Sequence, residues 1–210
     1  MARLTSISEI DPIPKRIYTN HLTLWRDVRS EISRLGTDAN LNHLDVSEIT
    51  NMFSLFCATG FCGDVSLWDV RNGKTFEKMF YRTKFSDTFD ISKWDVSNAI
   101  NMSGMFMCSD FKGNISGWNV GKVENMSGMF MCSSFNGDIS GWDVGNVNIF
   151  SEMFHYNGCF HQDLSSWDLT SATSMKKMSH LSAMKEEDVS AWKPKLKDKP
   201  FTFGSLFNML

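Results

Sequence analysis

Apolar residues recur along this chain in a fixed frame that repeats about every 25 residues. Each copy holds an aliphatic residue, a Trp three positions later, and a Val or Leu two positions after the Trp. The gaps between these tryptophans are 24 to 26 residues, and their positions are Trp68, Trp94, Trp118, Trp142, Trp167 and Trp192. Self-similarity at such a period is typical of repeat architectures, whose units bury their apolar sides against one another.

A second apolar pattern follows each tryptophan motif. The nonamer NMSGMFMCS occurs at 101–109 and again at 125–133. Its residues Met102, Met105 and Phe106 fall at i, i+3 and i+4, the spacing that places side chains on one face of a helical turn. Polar Gly, Asn and Asp residues then precede the next copy. The pattern predicts units made of a strand around the Trp, a short helix or helical turn around the Met residues, and a loop.

Amphipathic segments stand at both ends of the repeats. Residues 20–35 predict a helix that ends at Gly36 and carries Leu24, Trp25, Val28, Ile32 and Leu35 on one face. We expect this helix to cover the first repeat, because terminal units of a stack otherwise expose their apolar sides. Pro194 ends the last copy. The tail beyond it can cap the last repeat or form an association surface, and its apolar residues are Phe201, Phe203, Leu206, Phe207 and Leu210.

The frame IxxWDVSNxxNMSxMF, followed by FxGDISxW, resembles the tryptophan-containing repeats of BspA-like bacterial proteins. These form a branch of the leucine-rich-repeat superfamily that has no generally assigned activity. The likeness covers residues 41 to about 192. It implies an α/β repeat solenoid, right-handed and leucine-rich-repeat-like, of about six to seven turns with strands on the concave side. We therefore expect an N-terminal arm and capping helix at 1–40, the solenoid at 41–192, and a C-terminal cap or tail at 193–210.

Charge narrows the classes of partner. The net charge of -3 and a pI near 5.9 argue against a general nucleic-acid or anionic-membrane binder, which needs a basic surface. Residues 45–170 carry 8 Lys and Arg against 15 Asp and Glu, whereas the rest of the chain carries 13 against 9. A basic ligand, or head-to-tail packing between copies of the protein, would complement this distribution. No apolar stretch is long enough to span a bilayer, so we expect no membrane insertion.

One outward-facing column of the repeats is acidic. We call it the acidic column; it directly follows each Trp frame position and consists of Asp45, Asp69, Asp95, Asn119, Asp143 and Asp168. At a rung spacing of about 4.8 Å, neighbouring carboxylates repel by about 1 kcal/mol in water. Splayed side chains in water or backbone hydrogen bonds in the following turn can relieve this repulsion; alternatively, the column receives a basic partner segment. The candidate partner-binding residues are Asp69, Asp95, Asn119, Asp143 and Asp168, with Lys93 beside them.

Signals for catalysis or metal binding are weak. The chain has no Gly-rich phosphate loop, nucleophile elbow or paired-Cys metal spacing. The residues His155, Cys159, His161 and Asp163 combine metal-ligating types, but the group is not repeated and Cys159 precedes a core Phe. At the shared nonamer position of Cys108 and Cys132 we expect small buried thiols rather than a disulfide. We therefore expect a protein that is not an enzyme and uses no cofactor or metal.

The sequence favours a protein-binding module of a bacterial leucine-rich-repeat type, which recognises its partner through the acidic concave strand face. The alternative is a self-assembling structural or adhesin-like surface protein that uses the apolar C-terminal tail. A hydrolase or metal enzyme is a third and weaker possibility. The N-terminus as given has no signal-peptide core. This predicts a cytoplasmic or host-delivered protein, or a surface or secreted one if a precursor carries an export signal.

Overall fold

A computed structural model of the chain describes residues 16–185, 189–196, 199 and 203–206. Its regular elements are β1 (Arg16–Ile17), α1 (His21–Leu35), β2 (Leu44–Asp45), α2 (Trp192–Lys195) and a 3₁₀ helix at Phe203–Leu206. Strands β1 and β2 pair in parallel, with Arg16 opposite Leu44 and Ile17 opposite Asp45. The predicted N-terminal arm up to residue 15, and the tail residues Phe201, Phe207 and Leu210, lie outside the described residues.

Parallel bridges join successive copies of the repeat. They link Asn51 to Thr75, Thr75 to Asn101, Asn101 to Asn125, Asn125 to Ile149 and Ile149 to Ser174. After each bridge, every second backbone N–H donates to a carbonyl of the next copy; Met102, Gly104, Phe106 and Cys108 donate to Asn125, Ser127, Met129 and Met131 at 2.8 to 3.0 Å. The copies therefore lie one on another in register, and equivalent residues form columns through the stack. We call the bridged segments the ladder.

The local conformation of each unit differs from the predicted strand and helical turn. Residues 103–108 form consecutive turns rather than a helix, because Gly104 and Cys108 have φ angles of 60° and 55°. Left-handed residues at this spacing break a helix and direct alternate N–H groups toward the next copy. The Trp94 segment is a turn rather than a strand, and its N–H donates to the Ile91 carbonyl at 3.1 Å.

Tryptophan bonds each copy to the preceding one. The indole Nε1 donates to the carbonyl of the aliphatic residue one copy earlier at 2.9 to 3.1 Å; the pairs are Trp68 with Leu41, Trp94 with Val65, Trp118 with Ile91, Trp142 with Ile115, Trp167 with Ile139 and Trp192 with Leu164. All six side chains are buried. The bond satisfies the polar atom of a buried indole, as buried Trp requires.

Phenylalanine forms a continuous aromatic column beside the indoles. Ring centroids of successive copies lie 5.3 to 5.8 Å apart with planes within 9° of parallel, along Phe56, Phe80, Phe106, Phe130 and Phe154. A second ring of the same copy stacks on several of them, as Phe135 does on Phe130 at 4.1 Å. The core is therefore one apolar cluster that runs the length of the stack.

Helix α1 covers the N-terminal end of this cluster. It begins after Asn20, whose side-chain oxygen accepts from the Leu22 N–H at 2.8 Å, and its C-cap is Gly36 at a φ of 100°. Leu24, Val28 and Ile32 are buried and Trp25 packs against the core. Leu35, predicted on the buried face, is exposed, because it stands in the last turn of the helix.

Polar groups at both ends satisfy the backbone of the ladder. In the first copy, His21 Nδ1 donates to the Asn51 carbonyl and Arg29 Nη2 to the Cys57 carbonyl, both at 3.0 Å. Among the described residues, no backbone N–H of an earlier copy donates to these carbonyls, because the ladder N–H groups point toward the later copy. In the last copy, the Lys177 and Ser179 N–H groups donate to the carbonyls of Ser205 and Leu206. Leu206 itself is buried.

Candidate partner-binding surface

Every member of the acidic column accepts a hydrogen bond from the backbone two residues further along. The Oδ1 atoms of Asp45, Asp69, Asp95, Asn119, Asp143 and Asp168 accept from the N–H groups of Ser47, Arg71, Ser97, Gly121, Gly145 and Thr170 at 3.0 to 3.3 Å. This is an Asx turn, for which Asp and Asn are the suited residues. A structural reason for the column, a hydrogen bond in the following turn, is therefore present in each copy.

A second acidic column, which the tryptophan frame did not predict, lies directly before the aliphatic residue of each copy. Its members are Asn40, Asp64, Asp90, Asn114, Asp138 and Asp163. Their Oδ1 atoms accept from the N–H groups of Asn42, Ser66, Ser92, Ser116, Ser140 and Ser165 at 2.8 to 3.0 Å. The recurring sequence Asp-Ile-Ser ahead of Trp is the signal that would have identified this column.

The two columns flank the outward residues between the aliphatic residue and Trp. In the copy at Trp142 these residues are Ser140, half-buried, and Gly141, exposed. We call the two columns and the residues between them the acidic face. Both columns have Asn in the copy at Trp118, at Asn114 and Asn119. The carboxylates therefore fall into an N-terminal group and a C-terminal group.

Basic side chains accompany the N-terminal group. Arg71 Nε lies 2.8 Å from Asp69 Oδ1. The exposed Lys93 helps to lower the pKa of Asp90, after the larger effect of the Ser92 hydrogen bonds. Hydrogen bonds from Ser97 lower the pKa of Asp95, and the charges of Arg71 and Lys122 add to this effect. The predicted residues Asp69, Asp95 and Lys93 thus belong to a mixed-charge region.

The C-terminal group has fewer cations near it. Within the part of the chain that the structure describes, no ion pair involves Asp138, Asp143 or Asp163. Hydrogen bonds from Ser140 lower the pKa of Asp138, and those from Ser165 lower the pKa of Asp163, so both carboxylates are ionised at neutral pH. These three carboxylates are therefore without an ion-pair partner among the described residues.

Glycine at two corners brings side chains of adjacent copies together. A Cβ placed on Gly121 would lie 3.3 Å from both Asn119 Oδ1 and Asp143 Oδ2. A Cβ on Gly145 would lie 3.4 Å from Asp143 Oδ1 and 3.7 Å from Asp168 Oδ2. Asn119, Asp143 and Asp168 therefore form one row whose side chains close in on the two glycine corners.

Two lysines of the chain itself bind at the C-terminal end of the acidic face. Lys195 Nζ donates to the carbonyls of Trp167 at 2.8 Å and Ser165 at 3.3 Å. Lys199 Nζ donates to the Thr170 carbonyl. The pKa of Asp168 is lowered by its Thr170 hydrogen bonds and, to a smaller extent, by the charges of Lys195 and Lys199. Backbone carbonyls and a nearby carboxylate together hold each ammonium group.

The residues of metal-ligating type near His155 are used in other contacts. The His155 ring is buried, its Nδ1 donates to the His180 carbonyl at 3.0 Å, and its centroid lies 5.1 Å from that of His180. His161 Nδ1 donates to the Cys159 carbonyl at 2.8 Å. Among the described residues, no group of three or more His, Cys, Asp or Glu is placed to hold a metal ion. No helix in the same residues has the length and apolarity to cross a membrane.

Comparison with known proteins identifies one family. The family model described as Mycoplasma protein of unknown function, DUF285, matches residues 26–131 and, in a second overlapping match, residues 107–201. The two matches together include all of the repeats from Leu44 to Trp192. No curated protein matches the chain. No solved structure matches it either.

Proposed function

We propose that this chain, which belongs to the DUF285 family of Mycoplasma-type proteins of unknown function, is a non-enzymatic protein-binding module. In this proposal the stacked copies are a right-handed leucine-rich-repeat-like solenoid of the BspA-like type. The partner carries a basic segment, which binds to the acidic face. The parallel bridges and the in-register columns support a solenoid, because they are what stacked repeats produce.

The contacts of Lys195 carry the proposal of a basic partner. This ammonium group binds to two backbone carbonyls at the edge of the acidic face and adds to the charge near Asp168. In the preceding copy the Ser140 carbonyl, equivalent to that of Ser165, also accepts from Ser166 Oγ at 2.9 Å. The Trp142 carbonyl is equivalent to that of Trp167, and Asp138, Asp143 and Asp163 have no ion-pair partner among the described residues. A lysine-rich segment from another protein would find the same groups there. Electrostatic complementarity of this kind favours association rate and specificity.

The self-assembly alternative has less support. It uses the apolar C-terminal tail, but Leu206 is buried against the same chain and the Ser179 N–H donates to its carbonyl. Lys195 and Lys199 likewise bind their own chain. The basic C-terminal segment of one protein molecule is therefore partly engaged before it could meet the acidic face of another molecule. The location of the protein in the cell stays a prediction from the sequence.

A charge-matched pair of variants tests the binding proposal. The first, Asp138→Asn/Asp143→Asn/Asp163→Asn, removes three carboxylates and keeps the turns, because Asn114 and Asn119 already make the same backbone bond at equivalent positions. The second, Glu48→Gln/Glu124→Gln/Glu152→Gln, removes three carboxylates outside the acidic face. Circular dichroism establishes that both variants are folded. Their net charges are identical, so any difference in binding reports position rather than total charge.

The probe is a fluorescent peptide with the sequence KPKLKDK, which is the sequence of residues 193–199 of this chain. The peptide is titrated with protein in an anisotropy assay at low and physiological salt. We expect binding that weakens with salt and falls at least about tenfold in the first variant while the second stays within about twofold of the wild type. Equal losses in both variants would mean that net charge, not the acidic face, attracts the peptide. No binding to the wild type at low salt would contradict the proposal altogether.

A further inference from the structure

The two identical nonamers place a pair of thiols on adjacent copies. The Cys108 N–H donates to the Met131 carbonyl, and the Cys132 N–H donates to the His155 carbonyl, both at 2.8 Å. Both residues have left-handed φ angles, 55° and 53°. They therefore occupy one ladder column at successive rungs. Contrary to the expectation of buried thiols, Cys132 is exposed and Cys108 is only half-buried, because their left-handed backbone directs them away from the core residues Met105 and Phe106.

The two thiols interact. Partial desolvation raises the pKa of the Cys132 thiol, and the neighbouring Cys108 thiol raises it further. The other three cysteines have different surroundings: Cys57 and Cys159 belong to other columns, and Cys62 Sγ lies 3.9 Å from Thr37 Oγ1. The thiols of Cys108 and Cys132 are thus a specific pair rather than two members of a general cysteine surface.

Packing gives no reason for cysteine at this column. The residues at the same left-handed position in the other copies are Ala58, Arg82, Tyr156 and Leu181. All four are exposed. A position that accepts Ala, Arg, Tyr and Leu does not require a small sulfur-containing side chain for the stability of the stack. The adjacent thiols therefore call for a chemical explanation.

The spacing of adjacent rungs suits a disulfide. Neighbouring parallel segments lie about 4.8 Å apart, within the Cα separation of about 4.4 to 6.8 Å that disulfides span. The Cβ atoms of a disulfide lie about 3.8 Å apart, so the two side chains must approach each other by about 1 Å. Disulfides under such strain are more easily reduced than structural ones.

We propose that the juxtaposed Cys108 and Cys132 form a reversible disulfide between two copies of the repeat, with a low-molecular-weight disulfide as the oxidant. The thiolate of one cysteine attacks a sulfur of the oxidant and expels one small thiolate, which leaves a mixed disulfide. The thiolate of the other cysteine attacks the protein sulfur of that mixed disulfide and expels the second small thiolate. Two protein thiols have then become one disulfide, two protons are released to solvent, and the oxidant has been reduced to two thiolates.

Peptide mapping of the folded protein tests this proposal. The protein is incubated with oxidised glutathione, free thiols are alkylated, and the tryptic peptides are analysed by mass spectrometry without reduction. Cys108 falls in the peptide 94–112, and Cys132 falls with Cys159 in the peptide 123–176. We expect these two peptides to be linked, with loss of the link in Cys132→Ser and in Cys108→Ser. The matched control Cys159→Ser should keep it, and added thiol should release it.

Three results would overturn the proposal: glutathione attached separately to Cys108 and Cys132 without a link, a link through Cys159, or a link only between different molecules. The same reaction in denaturing urea tests the role of the fold. Linking should be at least about tenfold faster in the folded protein, because the two thiols are held adjacent. Equal rates would show that the fold does not promote the pairing. The rate should also fall by about tenfold for each pH unit below the thiol pKa, since the thiolate is the nucleophile.

Discussion

The bond from Trp142 to the preceding copy predicts a specific cost for Trp142→Phe. The substitution keeps an aromatic ring in the core but removes the indole N–H that donates to the Ile115 carbonyl at 3.1 Å. That carbonyl keeps a second bond at 3.1 Å, from the Trp118 N–H. The carbonyl is therefore not left without a donor, which places the loss of the hydrogen bond at about 0.5 to 1 kcal/mol.

The smaller ring of Phe adds a second contribution to the loss in the free energy of unfolding. Phe buries about 40 Å² less than Trp, and this area corresponds to about 1 kcal/mol of lost transfer free energy. The expected loss in the free energy of unfolding is therefore about 1.5 to 2 kcal/mol. Ile139→Val is the matched control, because it removes one methylene from a fully buried side chain that makes neither a hydrogen bond nor a ring contact. It should cost about 1 kcal/mol.

Urea unfolding followed by far-ultraviolet circular dichroism measures both variants against the wild type. The midpoint shift multiplied by the slope of the transition gives each loss in free energy. Trp142→Phe should exceed Ile139→Val by about 0.5 to 1 kcal/mol, the part assigned to the hydrogen bond. If Trp142→Phe costs no more than Ile139→Val, the indole N–H does not stabilise the stack and the column of tryptophans reflects ring area alone.

Three further predictions concern single sites and pH. Gly63→Ala should destabilise by at least about 3 kcal/mol in thermal unfolding, because its Cβ would lie 2.0 Å from the Ala39 carbonyl oxygen, whereas Gly141→Ala, with open space around it, should stay within about 0.5 kcal/mol. Asn157→Ala should cost about 2 to 4 kcal/mol in urea unfolding, because the buried Asn157 amide donates to the Phe135 carbonyl and accepts from the Cys159 and Phe160 N–H groups. Asn157→Ser should recover part of the loss, because Ser133, at the equivalent position, accepts from the Phe135 N–H. The pKa values of Asp90, Asp95 and Asp163 are lowered in the folded protein. These carboxylates therefore stabilise the fold above the unfolded pKa of about 3.9, and this contribution is lost as pH falls through the lower folded pKa values. The melting temperature should change little between pH 7 and about pH 5, and it should decrease below about pH 4. A melting temperature that rises on acidification would contradict that sign.

The repeat period and the inward residues could be predicted from the sequence because burial leaves a direct trace in composition. Trp94, Met102 and Phe106 are all buried, as their apolar spacing indicates. The backbone conformation that buries them could not be predicted in the same way. A spacing of i, i+3 and i+4 suits a helical turn, but it equally suits the ladder, in which left-handed residues such as Gly104 and Cys108 alternate with inward ones.

The acidic face was only partly predictable for a related reason. The column through Asp95 follows Trp directly and stands out in any alignment on that residue, whereas Asp90 stands four residues before Trp and belongs to the preceding loop in the predicted unit. The Asx turn requires an Asp or Asn at both corners, but a sequence pattern does not tell which backbone N–H a carboxylate will bind. The positions of Lys195 and Lys199 depend on the path of the segment that follows the last repeat, which no repeat pattern specifies.

The bridges of the ladder join residues that are 24 to 26 positions apart, and this separation has a mechanical consequence. Tension applied along the stack would load the copies of the repeat in series, since each copy in the described residues is hydrogen-bonded to its two neighbours. A fully extended copy of about 25 residues spans about 85 Å, while the folded copy adds about 5 Å to the length of the stack. Under force the protein would lengthen in nearly equal steps of about 80 Å, one for each copy of the repeat that unfolds from an end of the stack.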